Sequence, residues 1–479
     1  MALKLRHCLI AWVVVGLGFV APAAHKIQDP DVWWHIRTGE LIWANRAVPT
    51  SDPFSFTSLG QPWIAHEWLS DLILFGVFTH LGFIGIILLR AALIGAMFWA
   101  IYVLVSRKLD NVPGALVVTA LCGVAGLQLW SPRPQLFTYP LLAMLLLILQ
   151  KPSQRRIWLA VPMFCLWSNL HGAWLFGFVV MAMILTDAAV TAIREGKPGD
   201  ARRMGLVCAC SLVVVLAGPS PLERLLYPLD YFTGRIATKY VTEFRSPDFW
   251  DLTTLPYEAL LIGLAALLYL GRKPMRLSEW ALLLLTVHLS LHSVRHVPLF
   301  SIIAAPIMGM QLQGALERHK IKPGWRAAWG ERRESRLLNA VILLMLPALL
   351  WAKLPKANDE AHCVMGEHFP MAASRFLSEQ ARIGNGKLLN SYDWGGYLIF
   401  HLYPKYLVSL DGRADVHRLH MTKQLEGLEE LSPRWEDQLR ELNPDVVLWP
   451  TAKPLAVLLR RDPDWRIIYE DKTAVVFVH

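Results

Sequence analysis

Two carboxylates separated by one proline, Asp29-Pro30-Asp31, open the stretch of this chain best suited to chemistry. Trp33, Trp34 and His35 follow at once, then Asp52-Pro53-Phe54-Ser55 and His66-Glu67-Trp68-Leu69. A carboxylate held beside a hydroxyl can act as its general base, and carboxylates can also ligate a divalent cation such as Mg or Mn. Trp33 and Trp34 add aromatic faces, and His35, His66 and Glu67 add groups that can hydrogen-bond a substrate. An apolar segment from Cys8 to Ala24 comes just before and reads as a first membrane span. A loop this acidic and tryptophan-rich is costly at a bilayer surface unless it serves a site.

Two helices must position these groups. Trp33, Ile36, Glu40, Leu41 and Trp43/Ala44 give the first an aromatic-apolar face, with Asp31 where an N-cap would sit. Asp29 then has no local structural task, while Asp31 is either a cap or a reacting group. The second helix begins near His66-Glu67-Trp68 and runs to Phe78. Pro49, Pro53, Gly60 and Pro62 mark turns between them. Both helices are amphipathic enough to lie along a membrane face.

The rest of the chain is dominated by apolar runs. Of 479 residues, 54% are hydrophobic and only 18% charged, against about 25% charged in soluble globular proteins. The 20 tryptophans suit an interfacial belt. The net charge of +9 does not point to nucleic acid, because the basic residues sit in short loops between apolar runs. Five of the six cysteines lie inside apolar runs and only Cys363 in a polar region, so no disulfide framework is expected. Lys4, Arg6 and His7 before an apolar run ending Ala21-Pro22-Ala23-Ala24 also have the features of a cleavable signal peptide.

Candidate spans are 8–24, 83–106, 112–130, 136–150, 157–168, 173–193, 204–217, 258–271, 277–292, 296–316 and 337–353, about eleven, several shorter than the ~20 residues a bilayer core needs. The pair 157–168 and 173–193 breaks at Ser168-Asn169-Leu170-His171-Gly172, as two spans or a re-entrant hairpin. With the N-terminus cytoplasmic, the clusters at Lys4/Arg6, Arg107/Lys108, Lys151/Arg155/Arg156, Arg194/Lys197/Arg202/Arg203, Arg272/Lys273/Arg276 and Glu317 to Arg336 all fall inside. The first loop, 25–81, is then external, as is everything after about Leu354. Residues 1–353 form the membrane domain in this reading. Residues 354–479 alternate helix and strand and form a small extracytoplasmic α/β domain. Its predicted helices are Pro370 to Gln380, Trp394 to Leu402, Trp435 to Leu442 and Lys453 to Arg460. Its strands are Lys387 to Tyr392, Tyr406 to Leu410, Asp445 to Trp449, and a hairpin of Arg466 to Tyr469 with Thr473 to Val478.

An apolar first span, an acidic external loop with two juxtamembrane helices, many further spans and a C-terminal external domain together resemble the GT-C superfamily of integral-membrane glycosyltransferases. Protein O-mannosyltransferases and lipid A aminoarabinose transferases are examples. The resemblance implies a polyprenyl-phosphate sugar donor, a glycan, lipid or protein acceptor, contact with membrane lipids, and a catalytic carboxylate opening the first external loop. Asp29 takes that place, with Ile36 and Leu41 as apolar helix positions, and Asp31 is close enough to be the equivalent. The family's acidic pair is often adjacent, whereas Pro30 intervenes here. His66-Glu67-Trp68-Leu69 stands where related enzymes often carry a Lys-Pro-Pro-Leu type segment. The chain also resembles a group of bacterial multi-pass proteins sharing D-x-D-x-x-W-H, D-P-F-S, G-G-Y-L and D-G-R-A-D. A bacterial inner membrane location follows from that likeness.

Other polar positions fall on the outer side by this topology. Arg133 and Arg295 are the cations expected to meet a leaving phosphate, or they are snorkelling arginines. Asn169 and His171 form another turn, and Glu243, Arg245 and Asp248 a long loop. His288, His292 and His296 stack at helical spacing, which suits a polar stripe more than a zinc site. Arg90 and Asp187 lie within spans, each near an interface. In the C-terminal domain, Asn390-Ser391-Tyr392-Asp393-Trp394-Gly395-Gly396-Tyr397 and Leu410-Asp411-Gly412-Arg413-Ala414-Asp415 follow strands. Asp411 and Arg413 are candidates for acceptor binding, or an ion pair in a turn. A transporter or non-catalytic assembly factor for surface polysaccharide is the alternative reading. It predicts charges paired deep in the spans, whereas here polar residues gather at one face.

Overall fold

The computed structural model describes residues 16, 18, 20–230, 241–321, 348–417 and 424–479. The chain divides into two compact units, each assembled from separated stretches. One comprises residues 1–25, 86–218 and 242–356; the other comprises 26–85, 219–241 and 357–479.

The first unit is helical. Among the described residues, four helices are long and apolar enough to cross a membrane: Trp68–Ser106, Trp174–Arg194, Leu252–Gly271 and Val294–Arg318. Counting a bent helix pair as one span raises the number to five. Val112–Val124, Gln135–Leu149 and Leu277–His292 are apolar but shorter. The expected set of about eleven spans, several of them short, is matched among the described residues by a mixture of long and short helices. Most of the predicted spans at 8–24 and 337–353 lies outside the described residues, as does most of the basic segment after Glu317.

Local chemistry starts these helices. Asn111 Oδ1 accepts from the Gly114 amide at 2.8 Å, an N-cap followed by Pro113 in the first turn. Glu279 Oε2 accepts from the Arg276 amide at 2.8 Å. Val297–Arg318 is the hub, packed against Val112–Val124, Leu255–Gly271 and Leu277–His292. Small residues allow this: a Cβ on Gly271 would lie 2.7 Å from the Gln311 carbonyl carbon. Without a hydrophobic drive between helices in lipid, such close approach supplies the packing. Arg90 Nη2 donates to Pro22 O at 2.6 Å and also to His25 O. Asp187 Oδ2 accepts from Ser278 Oγ at 2.9 Å.

The second unit is built on a five-stranded sheet of order β2-β1-β3-β5-β4. The strands are β1 (Lys387–Asn390), β2 (Leu407–Val408), β3 (Val446–Pro450), β4 (Arg466–Glu470) and β5 (Ala474–Val478). β1 pairs in parallel with β2 and β3, and β5 runs antiparallel to β3 and β4. β3 and β5 are apolar almost throughout because both faces are covered. Leu389, Val447, Trp449, Leu455, Val475 and Phe477 form the core. The β4–β5 turn is held by Asp471 Oδ1, which accepts from the amides of Thr473 (2.7 Å) and Ala474 (2.8 Å).

Residues 26–85 are woven into this unit. Ile27 bridges Val364, and Ser55 of the D-P-F-S segment bridges Val408 at the β2 edge. The Phe56 amide donates to Val408 O (2.9 Å) and the Val408 amide to Phe54 O (3.1 Å). The segment thereby covers an edge that would otherwise present unpaired groups. The first loop helix spans Val32–Asn45 and packs against Gly395–Leu402. The second starts at Trp68 and continues to Ser106, past the expected end at Phe78, with a kink at Gly82 (φ 62°, ψ −153°). Glycine is needed at that positive φ. Asn358 satisfies the groups the kink frees, donating to Leu81 O (2.9 Å) and accepting from the Ile84 amide (3.0 Å).

Candidate functional site

The Asp29-Pro30-Asp31 turn corrects the sequence reading of both carboxylates. Asp31 precedes the Val32–Asn45 helix in helical backbone conformation, and its side chain makes no capping hydrogen bond. Asp29 has the structural task instead: its Oδ1 accepts from the Asp31 amide at 2.8 Å, a local turn of the kind Asp favours. Asp29 is only 2% exposed, while Asp31 is half-buried. Asp31 Oδ1 accepts from the Trp34 indole Nε1 at 3.2 Å. Trp33 faces the interior, edge-on to Tyr397 at 5.3 Å and Phe369 at 5.6 Å.

One helical turn further, His35 Nδ1 lies 2.7 Å from Asp71 Oδ1, and His35 Nε2 lies 3.9 Å from Glu67 Oε2. Trp34 and His35 have their ring centroids 3.5 Å apart. His66 Nε2 is 3.6 Å from Glu67 Oε1, and the His66 ring stacks on Tyr227 at 4.0 Å. The fold thus gathers His35, His66 and Glu67, and adds Asp71 and Tyr227, which sequence reasoning passed over. Glu67 and Asp71 stand four apart on one helix face, a spacing that could have drawn attention to Asp71.

A second constellation joins the two motifs that read as separate in the sequence. Arg413 pairs with Asp52 (Nη1 to Oδ1, 2.7 Å) and forks onto Asp411 through Nε (2.7 Å) and Nη2 (2.6 Å). His417 Nε2 lies 2.9 Å from Asp411 Oδ2, and Ser58 Oγ lies 3.4 Å from His417 Nδ1. Asp52 also accepts from the Phe54 amide (3.0 Å) and from Ser55 Oγ. The guanidinium lies over Trp63 and Phe54, at 4.7 and 5.0 Å. Asp52, Asp411, Arg413 and His417 are all at most 2% exposed. Of the two readings of Asp411 and Arg413, acceptor binding or an ion pair in a turn, the buried geometry is that of the ion pair.

Burial alone would push the Asp411 carboxyl up, but Arg413 and His417 hold it well below the usual carboxylate range. A depressed folded pKa gives stability that is complete above the unfolded value of about 3.9 and fades as pH falls below it. We therefore expect Asp411→Asn to cost about 3–5 kcal/mol at neutral pH, because it leaves Arg413 uncompensated. In thermal melts the gap to the parent protein should hold from pH 7 to 5 and narrow only in stronger acid. A gap already closing by pH 5 would contradict the assignment.

The helical unit has its own polar groups. Arg133 Nη1 pairs with Glu243 Oε1 at 3.0 Å, and Arg295 lies over the Phe244 ring at 4.9 Å. Glu243 and Phe244 are neighbours in the chain, so these two contacts bring three loops together. His296 follows Arg295 in the same turn. Arg245 O accepts from the Val294 amide at 3.0 Å, and Asp248 Oδ1 from the Trp250 amide at 2.9 Å. His171 Nδ1 lies 2.9 Å from Thr138 Oγ1, and Asn169 Nδ2 donates to Cys165 O (2.7 Å) and Ala217 O (3.0 Å). His288 and His292 stack at 6.2 Å. Among the described residues, no group of three or more His, Cys, Asp or Glu side chains is arranged to hold a metal ion.

No protein-family model matches the chain, and no curated protein matches it. Solved structures do. The archaeal oligosaccharyltransferase AglB from Archaeoglobus fulgidus, in complex with an inhibitory peptide and a dolichol-phosphate, superposes with a TM-score of 0.60 at 11% identity over 98% of this chain and 73% of that one. ArnT from Cupriavidus metallidurans, bound to undecaprenyl phosphate, gives 0.51 at 13% identity over 98% of this chain and 97% of that one. The chain shares the fold of these two solved structures. At these identities the likeness is one of architecture, and the chemistry must be argued from this chain's own side chains.

Proposed function

We propose that the protein is a membrane glycosyltransferase with the GT-C fold. In this reading it moves a sugar from a polyprenyl-phosphate-linked donor to an extracytoplasmic glycan, lipid or protein acceptor, in a bacterial inner membrane, with the N-terminus cytoplasmic and residues 354–479 outside. The observation that carries the reading is the half-buried Asp31 carboxylate at the head of the first loop helix, held by the Trp34 indole. The AglB structure with dolichol-phosphate and the ArnT structure with undecaprenyl phosphate support a lipid-phosphate donor.

Asp31 is the base. It takes the proton of the acceptor hydroxyl as that oxygen attacks the anomeric carbon, the bond from that carbon to the phosphate oxygen breaks, and polyprenyl phosphate departs. One displacement inverts the anomeric configuration. Asp29 is buried and orients the Asp31 backbone instead of reacting. His66 and Glu67, with side chains each 15% exposed, are the groups assigned to acceptor hydroxyls. His35 is fixed by Asp71 behind them. Within the helical unit, Arg133 and Arg295 are the guanidinium groups assigned to a phosphate.

The test is reconstitution in liposomes with a panel of polyprenyl-phosphate sugars. Protein-dependent release of polyprenyl phosphate from at least one of them is expected. Release from none would favour the transport or assembly role and end this reading.

A further inference from the structure

We infer that the backbone at Gly412 is the stop that sets where the Asp31 carboxylate stands, which makes Gly412 a positioning residue for transfer. The inference rests on the proposed role of Asp31. A Cβ on Gly412 would lie 2.7 Å from Asp31 Cγ and 3.2 Å from Oδ2, and would overlap Oδ1 outright. The carboxylate therefore lies directly on the Gly412 backbone. Glycine is required there for space and not for its backbone angles.

A stop must itself be fixed, and this one is tied on several sides. Asp411 Oδ1 accepts from the Arg413 amide at 3.0 Å, closing the turn. The Arg413 fork anchors it to Asp411 and to Asp52. Asn390 Nδ2 donates to Leu410 O at 2.9 Å, and the Ala414 amide to Gly412 O at 2.9 Å. On the other side of the carboxylate, the Trp34 indole donates to Oδ1. Trp34 is held in turn: a Cβ on Gly396 would lie 3.1 Å from its Cδ1. Asp31 is thus gripped between an indole N–H and a glycine backbone, each locked by its own neighbours. Such support keeps a reacting group within a fraction of an ångström of its working place.

The same geometry provides a clean test. In Gly412→Ala the new methyl meets the tip of a side chain, so the carboxylate swings aside while the backbone stays. A displacement near 1 Å costs a reaction on the order of 100-fold. In liposomes with the donor that supports transfer, Gly412→Ala should lower kcat by about that factor with the donor KM unchanged and the thermal melt retained. Gly76→Ala, at a glycine with nothing within 4 Å, should match the parent protein. An active parent and an inactive Asp31→Asn, together with full kcat in Gly412→Ala, would overturn the inference and leave the function reading intact. Transfer by Asp31→Asn equal to that of an active parent would instead remove the role of Asp31, and release of polyprenyl phosphate by neither would remove the function reading. Should Gly412→Ala lose its melting transition, Trp34→Phe carries the test from the other side of the carboxylate. A fall in kcat at constant KM supports the grip, and an unchanged kcat refutes it.

Discussion

Asp31→Asn should reduce sugar transfer by about 10²–10⁴-fold, the usual contribution of a positioned general base, while the protein melts at its parent temperature. Asparagine has the same shape, and its Oδ1 can still accept from the Trp34 indole that now bonds Asp31. What it cannot do is take a proton from the acceptor hydroxyl. Asp29→Asn is the informative contrast. Its Oδ1 would still accept from the Asp31 amide, so transfer should fall only a few-fold, in line with the modest worth of one hydrogen bond. Steady-state kinetics on both variants, with circular dichroism for the fold, settle the roles. Loss in Asp29→Asn with full activity in Asp31→Asn would reverse the assignment.

The second large effect falls on stability. Arg413→Met removes the guanidinium that bridges Asp52 and Asp411. Two carboxylates at most 1% exposed would be left facing each other. Breaking a buried pair from one side costs about 3–5 kcal/mol. For a unit of this size the melt should drop on the order of 10 °C. Arg440 is the control: its side chain is 72% exposed and pairs with Glu436 at 3.3 Å. Arg440→Met should change stability by less than about 0.5 kcal/mol and leave the melt near that of the parent. Similar melts for the two variants would show that the cluster does not hold the first loop to the sheet edge.

Much of the architecture is legible locally. The runs Val446–Pro450 and Ala474–Val478 are apolar in every or nearly every position and become covered strands. The aromatic-apolar face beginning at Trp33 becomes the Val32–Asn45 helix. Among the described residues, four of the apolar segments become helices of spanning length. The number of spans is less legible, because segments such as Val112–Val124 satisfy a composition test but stop short of a bilayer's thickness. The Asp29-Pro30-Asp31 turn was misread for a related reason. A residue's place before a helix does not reveal which neighbouring amide its oxygen will meet.

The sequence by itself determined the apolar membrane-type helices, the α/β C-terminal segment and an acidic first loop able to support chemistry, because hydrophobic period and turn residues act between near neighbours. Only the tertiary structure decided that Asp52 would meet Arg413, that Asp71 would hold His35, and that Gly412 would lie under Asp31. Pairings between distant charges are chosen by which surfaces the packed core brings together. Nothing in the local pattern of either motif specifies its partner.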